Sequence, residues 1–310
     1  MITLFKGERG GLEKVEKLSP DVWVHAVDPQ PDEVLRLERE LGVPHDFMTA
    51  ALDVDERPRT DREDDTRVVL LRVPRFHGLS ADIPFTTIPL AIILTDHVVI
   101  TVCSMESDVV QDFVSGRVSG WATAERDRFL LQIFLRTAAK YLLHLREIDR
   151  RVDELEDRLQ ASMRNRELLG LLKYQKSLTY FTTALRSNEL MMERLRTNWP
   201  LAAQPDNAEL LQDVLTENRQ AIEMVSISSN ILSQMMDAFA SIISNNLNVV
   251  MKFLTSATII LMLPTLVASF YGMNVALPLQ DSPYAFALTL ALSLALSVVV
   301  ILVFLKKDWF

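Results

Sequence analysis

Hydrophobic and polar positions divide the chain into regions of different period. Near the N-terminus short β-branched runs stand out: Val22 to Val27, Val68 to Val73, Thr87 to Leu94 and Val98 to Val102. Runs of this kind, bounded by Pro, Gly or Asp, predict strands. Pro31 to Leu41 carries Val34, Leu35, Leu37 and Leu41 at helical spacing, which predicts a helix with those four on its apolar face. Residues 1–124 therefore read as one mixed α and β domain. After that the period becomes helical. Glu125 to about Met163 lines up Phe129, Ile133, Leu135, Leu142, Leu145, Ile148, Val152, Leu155 and Leu159. Asn165 can cap a second helix running to about Thr197, and the short connection predicts an antiparallel pair. Trp199-Pro200 and Pro205 then break the chain. Asp206 followed by Glu209 is a capping-box signature for a new helix.

From there no Gly or Pro occurs until Pro264. A single helix from about Asn207 to Tyr271 would be roughly 98 Å long. Ordinary globular domains seldom use such a rod. Pro264 is expected to kink its last third. The segment Val249 to Tyr271 holds one charge, Lys252, and as a helix spans roughly 34 Å, enough to cross a hydrocarbon core of about 30 Å. Its polar and thioether residues are ordered. Asn248, Met251, Thr255, Thr258, Met262, Thr265 and Ser269 follow alternating steps of three and four. In lipid such a stripe should face protein or water, because hydroxyls and amides have no partners in hydrocarbon. A helix–helix contact would satisfy that much. The same alternation runs back through Ser244, Ser241, Asp237, Gln234, Asn230, Ile227, Glu223, Gln220, Thr216 and Asp213. A 3.5-residue period sustained this long implies parallel copies supercoiled about one axis. Copies that each turn a polar stripe to a common axis describe a pore.

A second apolar helix is expected from about Tyr284 to Leu305, with Thr289, Ser293 and Ser297 at steps of four as a close-packing face. Lys252 and the basic end Lys306, Lys307 and Trp309 share one membrane face, so the positive-inside rule puts both termini in the cytoplasm. Tyr271 and Tyr284 sit at the other face as interfacial aromatics. Residues 1–124 (α/β), 125–248 (helical stalk) and 249–310 (transmembrane) form the expected domains, with an outer loop at about 272–283.

The first membrane segment ends in Tyr271-Gly272-Met273-Asn274. Here the chain resembles the CorA family of magnesium channels, whose signature is Gly-Met-Asn at the outer end of the first of two C-terminal membrane helices. The resemblance covers the whole chain. It implies an α+β cytosolic domain, a long helical stalk and two C-terminal transmembrane helices in a funnel-shaped homo-oligomer, a pentamer, in the cytoplasmic (inner) membrane. It implies a channel importing Mg2+, with Co2+ or Ni2+ as further permeants, and Gly272, Met273 and Asn274 as its selectivity filter. Mg2+ dehydrates reluctantly, so a mouth that offers acceptors to a hydrated ion suits it, and Asn274 supplies an amide oxygen. Gly272 is expected to let the backbone leave the helix. Rings of Met262 and Leu254 would gate by dewetting, Leu254 entering through the resemblance alone. Asp237 would gather cations on the cytosolic side. The resemblance also implies a regulatory Mg2+ site, with Asp213 as its long-helix member and Asp82 as the candidate partner. One departure is the loop VALPLQDSP, whose only acid is Asp281.

Composition narrows the alternatives. The net charge of -9 argues against nucleic-acid binding and suits a cation handler. The single cysteine, Cys103, can form no intrachain disulfide, which fits a reducing cytosol. Met1 to Pro20 lacks the apolar core of a signal peptide. The five histidines, His25, His45, His77, His97 and His144, are dispersed without zinc-motif spacing. Gly7, Gly10 and Gly11 read as a turn, not a phosphate loop, and no Walker motif or nucleophile elbow occurs. No enzyme and no resident cofactor are expected; Mg2+ would be the transported and regulatory ion. The run Asp53 to Arg67, with seven acidic and four basic residues, reads as a solvated loop and looks like the connection that CorA proteins carry before the central sheet. Two other readings compete: a ZntB-like zinc transporter, whose signature is usually Gly-Ile-Asn, and a membrane-anchored sensor, which needs no polar axis.

Overall fold

The structure is a computed structural model that describes residues 1–8, 11–162, 165–199, 201, 204–274, 278 and 282–307. Seven strands form one sheet: β1 (Ile2–Glu8), β2 (Gly11–Val15), β3 (Val22–Val27), β4 (Arg59–Glu63), β5 (Thr66–Phe76), β6 (Phe85–Leu94) and β7 (Val98–Cys103), in the order β2-β1-β3-β7-β6-β5-β4. All neighbours are antiparallel except β3 and β7, which run parallel with Val22 opposite Val98. The helices are α1 (Pro31–Leu41), α2 (His45–Thr49), α3 (Asp108–Val114), α4 (Arg126–Ser162), α5 (Asn165–Asn198), α6 (Pro205–Tyr271) and α7 (Ala285–Lys306).

The chain divides into two compact units, Met1–Gln234 and Met235–Phe310. In the first, both faces of the sheet are covered. Val24, Leu70, Ile93 and Ile100 pack against Val34, Leu37, Phe47 and Met48 of α1 and α2. Val69, Leu71, Leu90 and Val99 pack on the other side against α3, α4 and the near ends of α5 and α6. A strand covered on both faces must be apolar at every position, which is why these strands read as continuous runs and not as alternation. Trp23 centres an aromatic cluster with Phe5, Phe113, Trp121 and Phe129. Asp112 of α3 is fully buried and accepts from Arg117, Arg136 and Lys140, which ties α3 to α4. α4 and α5 are antiparallel: Tyr141 meets Phe181, and Leu155 meets Gly170.

Four local expectations change. Leu35 is exposed while Val34 and Leu37 are buried, because Leu35 lies one helical step off the face that meets the sheet. Gly7 and Gly11 are strand residues, paired across the β1–β2 hairpin, and Gly10 lies outside the described residues. Gly7 is required by space: a Cβ there would stand 2.7 Å from the Trp121 ring. The charged run 53–67 is no simple loop. It contains β4, which pairs with β5 through a two-residue turn with Asp64 at φ 51°. A charged strand belongs at the sheet edge, where charge discourages pairing with other chains. Pro205 does not precede α6 but opens it, since a first-turn residue needs no intrahelical N–H partner. α6 continues as one helix past Pro264. Met163, Pro200, Asp281 and Trp309 fall outside the described residues, as does the side chain of Asn165.

In the second unit, α7 lies on one face of α6. Ser293 and Ser297 are buried, as their spacing predicts, and Ser297 Oγ donates to the Ile260 carbonyl at 3.5 Å and the Ser293 carbonyl at 3.1 Å. Small hydroxyl residues let two helix backbones approach closely.

Candidate ion pathway

α6 carries two different stripes. In the first unit Leu211, Val214, Asn218, Ala221, Val225, Ser228 and Leu232, again at steps of three and four, are buried. Two residues further on, the stripe Asp213, Thr216, Gln220, Glu223, Ile227, Asn230 and Gln234 is exposed at every position. A two-residue offset is a turn of about 200°, so these are opposite faces of one helix. In the second unit Ser256 is fully buried and Ile260, Leu263 and Val267 are partly covered. Asp237, Ser241, Ser244, Asn248, Met251, Leu254, Thr255, Thr258, Met262, Thr265 and Ser269 are all exposed there. The polar stripe is therefore not the surface that receives α7. That removes the intrachain helix contact as its explanation.

The hydroxyls on the stripe are chemically oriented. Ser241 Oγ donates to the Asp237 carbonyl at 3.0 Å, Thr258 Oγ1 to Leu254 at 2.8 Å and Thr265 Oγ1 to Leu261 at 3.0 Å. Each spends its only proton on the backbone four residues earlier and keeps oxygen lone pairs free. A hydrated cation presents water hydrogens outward, and acceptors of this kind suit it. Leu254 and Met262 interrupt the polar surface with exposed apolar side chains.

At the end of α6, Gly272 N–H donates to the Ala268 carbonyl at 2.9 Å and Met273 N–H to Phe270 at 3.2 Å. Gly272 does not take a left-handed conformation; among the described residues the glycines that do are Gly42, Gly78, Gly116 and Gly120. A Cβ there would stand 3.2 Å from the Ala268 carbonyl oxygen, a tight contact. Met273 and Asn274 are exposed. Asp82 is almost fully exposed, and Lys173 Nζ stands 3.8 Å from its carboxylate while donating to the Ala81 carbonyl at 3.1 Å. The sequence reading missed Lys173, which lies far from Asp82 along the chain and carries no motif. It also missed Ser256, although Ser256, Ile260 and Leu263 have helix-face spacing. Among the described residues no group of three or more His, Cys, Asp or Glu side chains is placed to hold a metal, and the chain by itself does not bring Asp213 and Asp82 into one.

The windows of highest hydropathy make α6 and α7 long and apolar enough to cross a membrane. The family model described as CorA-like Mg2+ transporter protein matches residues 21–307. The cobalt/magnesium transport protein CorA of Methanocaldococcus jannaschii is 26% identical over 93% of this chain and 91% of its own length. The protein of the same description from Thermotoga maritima is 23% identical over 94% of this chain and 84% of its own. The solved structure of the CorA magnesium transporter from M. jannaschii superposes with a TM-score of 0.85 at 24% identity, covering 100% of this chain and 99% of that one, so the two share a fold. The match over nearly the whole chain, with two apolar helices at its C-terminal end, makes this a membrane protein that belongs to the CorA-like Mg2+ transporter family, a family of transporters and not of enzymes.

Proposed function

We propose that this chain is a divalent-cation channel that imports Mg2+ into the cytoplasm, with Co2+ or Ni2+ as further permeants. The observation that carries this reading is the uncovered polar face of α6. In the first unit it is exposed although the sheet domain covers part of α6, and in the second it is exposed although α7 covers part of α6. Leaving such a face in lipid would be costly, and parallel copies about an axis would give it water. The working unit is then a homo-oligomer, a pentamer, in the cytoplasmic membrane. Residues 1–124 and 125–248 are its cytosolic sheet domain and stalk, 249–310 its membrane domain, and 272–283 its outer loop. Lys252, Lys306 and Lys307 favour cytoplasmic termini. Gly272, Met273 and Asn274 form the outer mouth. Leu254 and Met262 are apolar constrictions, and the stripe from Asp237 to Ser269 lines the path between mouth and cytosol.

The test is Mg2+ flux into liposomes holding only this protein. Wild-type protein should conduct. Asn274→Ala should lose at least about tenfold in flux, the worth of charge-assisted acceptors around a dication, while its oligomer mass stays unchanged. Wild-type flux from Asn274→Ala would remove the mouth assignment. Zn2+ flux well above Mg2+ flux would favour the zinc-transporter reading, and no flux of any divalent ion would favour a membrane-anchored sensor.

A further inference from the structure

The charges of α5 and α6 are segregated within the sheet-domain unit. From Pro205 to Gln234, α6 carries five acids, Asp206, Glu209, Asp213, Glu217 and Glu223, and one cation, Arg219. Arg219 is engaged by Glu189 of α5 at 3.7 Å. No ion pair or side-chain hydrogen bond among the described residues reaches the five acids. α5 is the reverse. Its exposed side carries Lys176, Arg186 and Arg194 with no exposed acid between them, and none of the three has a partner among the described residues. Tyr180, 44% exposed, and Leu190, 61% exposed, lie among these cations.

The two helices are antiparallel and in step. Glu189 meets Arg219, and Gln175 Nε2 donates to Ser233 Oγ at 3.3 Å, so equal lengths of α5 and α6 separate the two contacts. Arg194 is therefore level with Val214, within about 5 Å along the axis of both Asp213 and Glu217. Arg186 is level with Ile222, beside Glu223. Tyr180 is level with Ser228, between Ile227 and Ile231, both of which are exposed. These faces cannot meet within one chain. Glu217 lies two residues from Arg219, about 200° around the helix from the side that meets α5.

We propose that the cationic face of α5 docks on the acidic and apolar flank of α6 in the next copy of this chain. The inference rests on the reading of parallel α6 copies about one axis, because rotation about an axis parallel to α6 keeps every residue at its own height. At equal heights Arg194 meets Glu217, Arg186 meets Glu223, and Tyr180 meets Ile227 and Ile231. Burial of the apolar side chains favours the contact, and the opposed charges fix its register and reject other pairings. One face lies on α5 and the other on the flank of α6 turned away from α5. The contact is therefore head-to-tail, and repeating it by rotation closes a ring.

Disulfide trapping of the full-length protein in detergent tests this. Cys103 is buried, so the native chain offers no reactive thiol. A chain carrying both Arg194→Cys and Glu217→Cys should oxidise to a ladder of linked chains on a denaturing gel. Each single variant should stay monomeric there, since in a head-to-tail contact one cysteine faces no second one. Charge reversal gives an independent readout. Arg194→Glu should raise the protein concentration needed for half-assembly about tenfold or more, and Glu217→Arg in the same chain should restore it. The proposal is overturned if the double-cysteine chain gives no ladder, if the single variants ladder as strongly, or if the double reversal assembles no better than Arg194→Glu. Flux of the native chain is read separately. Flux without a ladder removes this interface and leaves the channel; a ladder without flux removes the channel and leaves the interface.

Discussion

His25 shows how one side chain links burial to stability. It lies in the central part of the sheet domain, 4% exposed, on β3. Thr101 Oγ1 accepts from Trp23 Nε1 at 2.8 Å, so its own proton is free to go to His25 Nδ1 at 2.9 Å. That leaves the ring neutral with its hydrogen on Nε2, which is buried and has no hydrogen-bond partner among the described residues. Burial lowers the His25 pKa to about 4. The unfolded value is about 6.5, so the folded form binds fewer protons between those values. Stability is then complete above pH 6.5 and is lost as pH falls towards 4. By pH 5 the cost should be about 2 kcal/mol from His25. His144, also lowered to about 4 by burial, adds to it in the same window. Guanidinium unfolding followed by tryptophan fluorescence at pH 7 and pH 5 measures the loss. His25→Gln should flatten part of that slope; an unchanged slope would mean His25 is protonated in the folded protein.

At the scale of the element, α6 is a helix with two unlike faces, and its accessibility can be mapped. Cys103 is fully buried and burial pushes its thiol up to about 12, so the native background should be silent to thiol reagents. Single cysteines at Met251, Thr258 and Met262 should react with a small water-soluble thiol reagent and block flux. Cysteines at Ser256, Ile260 and Leu263, on the side that meets α7, should react slowly and leave flux open. The opposite pattern would put the water path on the wrong side of the helix. The spacing of the stripe was readable along the chain because helical geometry alone sets which residues share a face. Which face α7 would cover was not, since Ser297 and Ile260 meet only through packing.

At the scale of the whole molecule, the proposed regulation by internal Mg2+ can be separated from conduction. Asp213 is exposed on α6 in the sheet-domain unit, outside the apolar span. If it shares Mg2+ with a carboxylate of a neighbouring subunit, metal loss leaves like charges facing one another, and these repel. Asp213→Ala should raise the internal Mg2+ needed for half-closure by about tenfold and leave the permeant-ion ranking as it was. Flux measured against internal Mg2+ decides this, and an identical inhibition curve would take Asp213 out of the sensor. Asp82 is the weaker partner. Lys173 already stands beside it, and an exposed pair of that kind contributes little.

Local sequence determined what depends on near neighbours. The runs of β3, β5, β6 and β7, the three long helices, the apolar span and the Gly272-Met273-Asn274 ending were all legible, because side-chain direction repeats every two or 3.6 residues whatever lies opposite. Tertiary structure decided what depends on residues far apart along the chain. Gly7 is needed because Trp121 lies against it, and the Thr123 hydroxyl bonds its backbone. β4 is a strand because β5 offers it an edge, although its own residues are those of a loop. Leu35 is left outside because Val34 and Leu37 reach the sheet first. Periodicity tells which residues of an element travel together; only the packed chain tells which of its faces remains uncovered.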